Sequence, residues 1–371
     1  MSSRERRILI AVIVVGVLLR VLHLVTSVGS ADSVTWMRNV MNTERYGILG
    51  AYLHDPGLNH PPLGLAIARW TSDLATAIGL QFNDAFRLLQ TLADAGTAIA
   101  LLRLGGLWAA SAFMLSPAAI FITGFHCQSD PLMTMFLVLA IVARRPWMAG
   151  LMVALAAGIK IIALIALPLV MLRFRGRDIL LYLSAATAVL VAVFAPAVAE
   201  TGLTVLGNVF GYTGLTVSWG LNFILRLTPD MRRLVTLALL GLLAFLWVVQ
   251  LRKRYDTARV VGIAILLVLV LAPGFGVQYL FWPLPFFALM LRRHEALAMH
   301  GVLSAFLFAT YTAWSGGWPW WFGSNSAGVA GVYWAFWVWI ALLIATAIAI
   351  RRIYSSSSSS PPALLYFLVL L

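Results

Sequence analysis

Long apolar runs, separated by short basic clusters, recur along the whole chain and limit what it can fold into. The first run, ILIAVIVVGVLLRVLHLV, follows the basic letters RERR. A hydrocarbon core about 30 Å thick is crossed by roughly 20 apolar helical residues, whose backbone groups must bond within the segment. Because 62% of the 371 residues are hydrophobic and only 11% are charged, the chain is predicted to be an all-α, multi-pass membrane protein.

Counted one by one, the apolar runs predict about 12 spans. They cover residues 8–28, 61–79, 87–104, 106–124, 130–143, 147–172, 178–199, 233–251, 259–272, 279–291, 296–313 and 329–350. With the N-terminus in the cytoplasm, this count puts Arg103 and the pair at 144–145 outside. That placement conflicts with the tendency of arginine to remain on the cytoplasmic side of a membrane.

Two of the runs fit the charge pattern better if they do not cross the membrane. Residues 61–79 carry Arg69 and Asp73 in their middle and are predicted to form a helix in the membrane interface. Residues 147–172 have basic residues at both ends, so they are predicted to enter and return, with Lys160 at the apex of the hairpin. The basic clusters between runs then lie in the cytoplasm, and the net charge of +13 reflects topology, not nucleic-acid binding.

The same count divides the chain into external segments, one membrane domain and a tail. The polar segments predicted to lie outside are residues 29–86, 124–130, 200–232 and 314–328. Residues 1–352 are predicted to form a single membrane domain, and residues 353–371 a low-complexity Ser/Pro tail with a short apolar end. The one cysteine, Cys127, excludes an intrachain disulfide and a cysteine-built metal site.

The first external segment carries two candidate site residues. Asp32, in SADS, has two interpretations: it caps the helix that follows, or it is a general base held at the membrane surface. His60 begins the motif HPPLG, in which the two prolines alone explain a helix start. With His54 and Asp55 nearby, His60 is also a candidate phosphate or metal ligand, although the spacing matches no standard set of metal ligands.

The short external turn GFHCQSDPLM places His126, Gln128 and Asp130 between two apolar runs. One interpretation is a capped turn that faces water, with Asp130 capping the helix that begins at Pro131. Because the turn is short and almost enclosed by apolar sequence, we expect its polar groups to face a shared cavity instead.

Three residues further along the chain complete the candidate site. Lys160 is one of two lysines in the chain; it either snorkels or, as its apex position favours, binds an anion in a cavity. Gln278 and Tyr279, in GFGVQYLFWPLP, place an amide beside an aromatic plane, a combination that suits a sugar. Aromatic residues at a membrane interface also form a simple belt, so this motif is weak alone.

Taken in order over residues 30–287, these motifs resemble the C-type superfamily of integral-membrane glycosyltransferases (GT-C), which use polyprenyl-phosphate-linked sugars as donors. The motifs are Asp32 after the first span, HPPLG, GFHCQSDPLM, AAGIKIIALIALPLVML and GFGVQYLFWPLP. The resemblance implies a large first external loop that carries juxtamembrane helices, and a second important loop after the seventh span. The charge pattern places residues 200–232 after the seventh span.

The resemblance also implies a role for each candidate residue. Asp32 would deprotonate the acceptor hydroxyl, which would attack the anomeric carbon with inversion, and Lys160 would stabilise the lipid-phosphate leaving group. The implied donor and phosphate-binding residues are His60, His126, Gln128, Asp130, Lys160, Gln278 and Tyr279. No certain cofactor is implied. A divalent metal stays open, because many relatives have a second acidic residue where this chain has Ser33.

The expected reaction moves a hexose, with mannose as the expected sugar, to a lipid, glycan or protein acceptor on the periplasmic or lumenal face. The main rival function is a transporter or lipid-linked sugar flippase, since ionisable residues within membranes also mark transport paths. That rival predicts inverted repeats and broken helices in both halves, whereas the sequence shows a broken helix only in the first half. A non-catalytic membrane subunit is a third alternative that leaves the external polar residues unexplained.

Overall fold

All regular elements that the structure describes are helical. The structure is a computed structural model, and it describes residues 2–27, 29–212, 221, 225–318, 320 and 330–355. The α-helices are α1 (Ser3–Thr26), α2 (Ala31–His54), α3 (Pro62–Ala77), α4 (Phe82–Met114), α5 (Pro117–Phe121), α6 (Asp130–Val142), α7 (Pro146–Ile159), α8 (Ala166–Met171), α9 (Arg177–Thr201), α10 (Thr204–Phe210), α11 (Pro229–Lys253), α12 (Thr257–Leu271), α13 (Leu284–Met290), α14 (Arg293–Ser315) and α15 (Ala330–Ser355). The residues Ile122–His126 form a π-helical turn, and Ile161–Ile165 and Val277–Phe281 form 3-10 turns.

Within the described ranges, 6 helices are long and apolar enough to cross a membrane: α1, α4, α9, α11, α14 and the Trp334–Ser355 part of α15. The shorter apolar helical segments are Pro117–His126, Asp130–Val142, Pro146–Ile159, Ile161–Met171, Thr257–Leu271 and Val277–Met290. The chain is thus an all-helical protein of multi-pass type. The count of about 12 spans stays a prediction, as does most of the tail, since residues 356–371 lie outside the described part.

α4 is a hairpin whose two halves meet at Gly105 and Gly106. Gly106 has a φ of 67°, which an L side chain rarely adopts. The buried Arg20 guanidinium contacts Asp94 at 2.6 Å and the Met114 carbonyl at 2.9 Å. In one continuous helix those two residues would be about 30 Å apart, at roughly 1.5 Å per residue. The halves therefore lie side by side, in agreement with the predicted boundary between two apolar runs.

α6 and α7 are antiparallel helices of similar length, and this places Lys160 beside Asp130. They contain 13 and 14 residues, so each is about 20 Å long. α6 begins at Asp130, and Lys160 directly follows α7. Beyond Lys160 the chain runs back, because Arg173 donates a hydrogen bond to the Ala140 carbonyl near the end of α6. The predicted hairpin with Lys160 at its apex is present.

A second discontinuous segment lies between α12 and α14, where the 3-10 turn Val277–Phe281 precedes the short α13. The statement that only the first half contains a broken helix was therefore wrong. Pro273, Pro283 and Pro285 interrupt the helical hydrogen bonding, while most of the residues between them are apolar. A hydropathy pattern therefore does not reveal the break.

α2 and α3 connect α1 to α4 and form one wall of the site. α2 changes direction at Gly47, which has a φ of 77°. α3 is amphipathic: Leu65 and Ala68 are fully buried, whereas Trp70 and Leu74 are 58% and 60% exposed. A short helix with one exposed apolar face is the form expected of the predicted interfacial segment.

Candidate active-site cavity

A cavity of about 1050 Å³ opens between the first external segment, the Lys160 hairpin and α11. Six of the eight residues singled out from the sequence line it: Asp32, His60, Gln128, Lys160, Gln278 and Tyr279. The other two, His126 and Asp130, are buried behind the cavity wall. The sequence motifs thus do come together in space, but they do so in two layers.

Asp32 lies in the first turn of α2 and faces the cavity with a side chain that is 31% exposed. The cap of this helix is Ser30, whose hydroxyl accepts from the Asp32 backbone N–H at 3.2 Å, so the interpretation of Asp32 as the cap was wrong. His126 Nε2 lies 2.9 Å from Asp32 Oδ2, and the Gln128 amide donates to the same oxygen.

The charge environment keeps Asp32 ionised. Burial alone would raise the pKa of its carboxyl, but His126, the amide of Gln128 and the more distant Lys160 together lower that pKa to about 2. A carboxylate with this pKa is an acceptor of hydrogen bonds at every physiological pH. The Asp32 side chain is therefore present as a carboxylate, which can accept a hydrogen bond from a hydroxyl group that enters the cavity.

Lys160 provides the cation of the cavity. Its ammonium lies 2.6 Å from Asp130 Oδ2, and it faces the rings of Tyr279 at 5.2 Å and Trp282 at 5.8 Å. These two rings are stacked at 4.3 Å, and the Trp282 indole N–H donates to the second oxygen of Asp130. A cation held by a carboxylate and two aromatic faces is fixed in position before any ligand binds.

His60 is placed by aromatic packing in the wall of the cavity. Its ring stacks on Trp36 with centroids 4.2 Å apart, and its carbonyl accepts from the Tyr52 hydroxyl at 2.6 Å. Burial, reinforced by the charge of Lys160 and opposed by Asp32, lowers the pKa of the His60 imidazole to about 3. At neutral pH His60 is therefore an uncharged hydrogen-bonding group, suited to a sugar hydroxyl more than to neutralising a phosphate.

The residues that the structure describes around the cavity do not fit a divalent metal. Such an ion takes several oxygen ligands, and both oxygens of Asp130 and one of Asp32 already accept from N–H groups. Within the described ranges, no group of three His, Cys, Asp or Glu side chains is placed to hold a metal. His54, once a candidate with His60, stacks on Tyr46 instead, so no step is assigned to a metal.

Two arginines that the sequence motifs missed also line the cavity. Arg232 and Arg233 lie in the first turns of α11, and Arg232 is half-buried. Arg233 is 3.7 Å from Asp230, whereas no described carboxylate lies within ion-pair distance of Arg232. Their position was a usable signal, because arginines at the predicted external end of a span depart from the usual charge distribution.

Apolar side chains line a large part of the remaining walls of the cavity. One wall continues from Lys160 along Ile161, Ile162 and Ile165, and α11 contributes a stripe that contains Leu239, Leu240 and Leu243. The leucines recur at helical spacing, so they share one face of α11. The cavity therefore joins a polar end, with a carboxylate and cations, to an apolar groove.

Tyr212 also lines the polar end of the cavity, together with Tyr279 and with Asn59 of the first external segment. Comparison with known proteins adds no assignment, since no protein-family model and no curated protein matches this chain.

Proposed function

We propose that the protein is a membrane glycosyltransferase of GT-C type that transfers a sugar from a polyprenyl-phosphate carrier to an acceptor hydroxyl. The observation that carries the proposal is the single cavity in which an ionised carboxylate, Asp32, and a fixed cation, Lys160, meet an apolar groove. A phosphate-linked sugar on a long isoprenoid chain has the matching parts: an anion, a polyol and an apolar tail.

The groove supports a lipid-linked donor in particular. Both of its long walls carry a cation: Lys160 directly precedes the isoleucines in the chain, and Arg232 lies on α11 before the leucine stripe. Between Arg232 and Leu243 the helix rises by roughly 17 Å, which gives an extended apolar surface below the charges. A phosphate held between the two cations would leave its lipid chain along the groove.

The reaction follows from these positions. Asp32 takes the proton of the acceptor hydroxyl while that oxygen forms a bond to the anomeric carbon. The bond from the anomeric carbon to the phosphate oxygen breaks, and its electron pair goes to the phosphate. Lys160 and Arg232 stabilise this growing negative charge more than they stabilise the bound donor, which lowers the barrier. Attack opposite the leaving phosphate inverts the anomeric configuration.

Gln278, Tyr279 and the neutral His60 are the groups proposed to hold the sugar and phosphate, because all three line the polar end. We expect a hexose, with mannose as the first donor to examine, and a glycolipid, glycan or protein of the cell envelope as the acceptor. The proposed active site lies on the periplasmic or lumenal face of the membrane, where the first external segment is predicted.

The decisive experiment measures sugar transfer by the purified protein from a panel of polyprenyl-phosphate hexoses to membrane lipids. Asp32→Asn should abolish transfer, because the amide cannot take the proton, while the protein still inserts and folds. His54→Gln is the matched control, since His54 belongs to the same external segment but stacks on Tyr46 away from the cavity. Full transfer activity in Asp32→Asn would refute the assignment of the base.

A transporter or lipid-linked sugar flippase is the second candidate, and the second discontinuous segment favours it. Helical breaks at Lys160 and between α12 and α14 occur in both halves of the chain, as transporters with broken helices show. Purified protein in sealed vesicles separates the candidates. Movement of a labelled lipid-linked sugar across the bilayer without covalent transfer would replace the glycosyltransferase proposal.

A further inference from the structure

We propose that His126 and Gln128 are positioning residues that act through Asp32, and that they leave Asp32 Oδ1 as the oxygen that takes the proton. The inference rests on the proposed function, and it revises the donor-binding role expected of both residues. The two oxygens of the Asp32 carboxylate then have different roles: Oδ2 is held by His126 and Gln128, and Oδ1 takes the proton.

The hydrogen bonds around Asp32 are one-sided. His126 Nε2 approaches Oδ2 at 2.9 Å and the Gln128 amide donates to the same Oδ2. No side chain or backbone group in the described part of the chain donates to Oδ1. Since the side chain is 31% exposed and lines the cavity, the oxygen without a donor is the one that a substrate hydroxyl can reach.

Neither positioning residue offers a polar atom to the donor. The His126 side chain is 3% exposed and is not part of the cavity wall. Gln128 borders the cavity, but its amide nitrogen is used at Asp32 and its oxygen is buried. Contact with the sugar or phosphate would require both side chains to leave the positions that the structure gives them.

The backbone holds His126 in register with Asp32. The π-helical turn ends at His126, and Cys127 follows with a φ of 65°. Ser30, the cap of α2, donates from its backbone N–H to the Phe125 carbonyl at 3.2 Å and from its hydroxyl to the His126 carbonyl at 2.7 Å. The helix that carries the base and the turn that carries its partner are thus bonded at two adjacent carbonyls.

The surroundings of Asp32 define what removing these partners does. Besides His126 and Gln128, the groups that interact electrostatically with it are Lys160, His60, the Cys127 thiol and the hydroxyls of three tyrosines. These tyrosines are Tyr212, Tyr279 and Tyr311. Burial raises the pKa of Asp32 and its donors lower it, so loss of His126 and Gln128 should raise this pKa from about 2. A raised pKa leaves less carboxylate at acidic pH, and activity should fall there first.

Kinetics provide the first test. His126→Leu and Gln128→Leu should each lower kcat by about tenfold or more and leave the donor KM within about twofold. The double variant should lose activity as the pH falls from about 7 to about 5, whereas the activity of the wild type should not change over this range. His126→Gln, which keeps an N–H donor, should recover part of kcat. A large rise in donor KM with unchanged kcat would show donor binding and overturn the inference.

Chemical labelling provides a test that does not need activity. Dicyclohexylcarbodiimide modifies protonated carboxyl groups, so at about pH 5 wild-type Asp32 should stay unmodified while Asp32 of the double variant is modified, as measured by peptide mass spectrometry. The exposed Asp73 is the internal control in every sample. Equal labelling of Asp32 in both proteins would overturn the inference. If Asp32 is labelled as expected but the protein transfers no sugar, the proposed function is refuted and the inference about the Asp32 partners is not.

Folding is checked by gel filtration and thermal unfolding before either test. If His126→Leu does not fold, both tests are made with Gln128→Leu. Gln128 borders the cavity, so water can still reach Asp32 when its side chain is replaced. An unchanged pH profile and unchanged labelling in that variant would also contradict the inference.

Discussion

Lys160 and Asp130 are the residues at which stability and the proposed chemistry are hardest to separate. The Asp130 side chain is fully buried and that of Lys160 is 12% exposed, and their charged atoms are 2.6 Å apart. Removing one partner of a buried pair leaves an uncompensated charge, whereas replacing both with neutral groups of similar size is often tolerated. A pair of variants can therefore separate the two roles.

Lys160→Met should destabilise the protein by about 3–5 kcal/mol and abolish transfer. The double variant Lys160→Met with Asp130→Asn should regain most of the stability, because the amide oxygen still accepts from the Trp282 indole and no charge stays unpaired. It should remain at least about a hundredfold slower than the wild type, since the cation proposed to stabilise the leaving phosphate is missing. Thermal unfolding and initial rates measure the two effects.

Recovery of both stability and activity in the double variant would contradict the role of Lys160 at the phosphate. Asp130→Asn alone is the informative comparison, because it keeps the cation and removes only the partner that fixes it. We expect it to be less stable than the wild type, because the Lys160 charge stays unpaired, and partly active, with a kcat between those of the wild type and the double variant.

The sequence predicted which residues share the site better than it predicted which of them touch a substrate. Asp32, His60, Gln128 and Lys160 all line one cavity as expected. Whether a side chain lies in the wall or behind it depends on how α6 packs against its neighbours, and spacing along the chain carries no information on that. His126 was placed correctly in the cluster, but it contacts Asp32 and does not line the cavity.

At the scale of helices, Gly150 allows α7 of the Lys160 hairpin to lie close to α9. α7 packs tightly against α9, and a Cβ added at Gly150 would collide with the Tyr182 carbonyl oxygen. The same tyrosine donates from its hydroxyl to the Leu167 carbonyl at 2.7 Å. Tyr182 thus ties α9 to both arms of the hairpin that presents Lys160.

Gly150→Ala should destabilise the protein by about 1–3 kcal/mol or more, because the contact is with backbone and the helices must move apart. Gly241→Ala is the matched control: Gly241 is also inside an apolar helix, α11, but a Cβ there meets nothing within 4 Å. The control should unfold at or slightly above the wild-type temperature. Equal unfolding temperatures for the two variants would show that α7 and α9 do not pack as closely as described.

A helical break could be predicted from the sequence where basic residues flank an apolar run on both sides, and not elsewhere. Basic residues on both sides of residues 147–172 predicted a return near Lys160, and the structure has one. The break at Val277–Phe281 carries no such charges, and its prolines lie among large apolar residues. The π-helical turn Ile122–His126 also left no signal, because it adds one residue per turn without changing the apolar composition.

At the scale of the whole molecule, two helices run from the candidate site to basic clusters at their other ends. α6 begins at Asp130, beside the cavity, and ends about 20 Å away next to the arginines at 144–145. α11 begins beside the cavity at Pro229 and ends at Lys253, and the next residue, Arg254, donates to the Leu172 carbonyl at 3.2 Å. This arrangement agrees with the charge pattern from which the topology was predicted.

The predicted topology can be measured with single thiols, because the only native cysteine, Cys127, is fully buried. Thr76→Cys, on the exposed face of α3, should react with a membrane-impermeant maleimide in sealed vesicles that expose the periplasmic or lumenal face. Ser355→Cys, at the exposed end of α15, should react only after detergent is added. The unaltered chain is the background control. Labelling of Ser355→Cys in intact vesicles, with Thr76→Cys protected, would place the cavity on the cytoplasmic side and exclude transfer on the outer face.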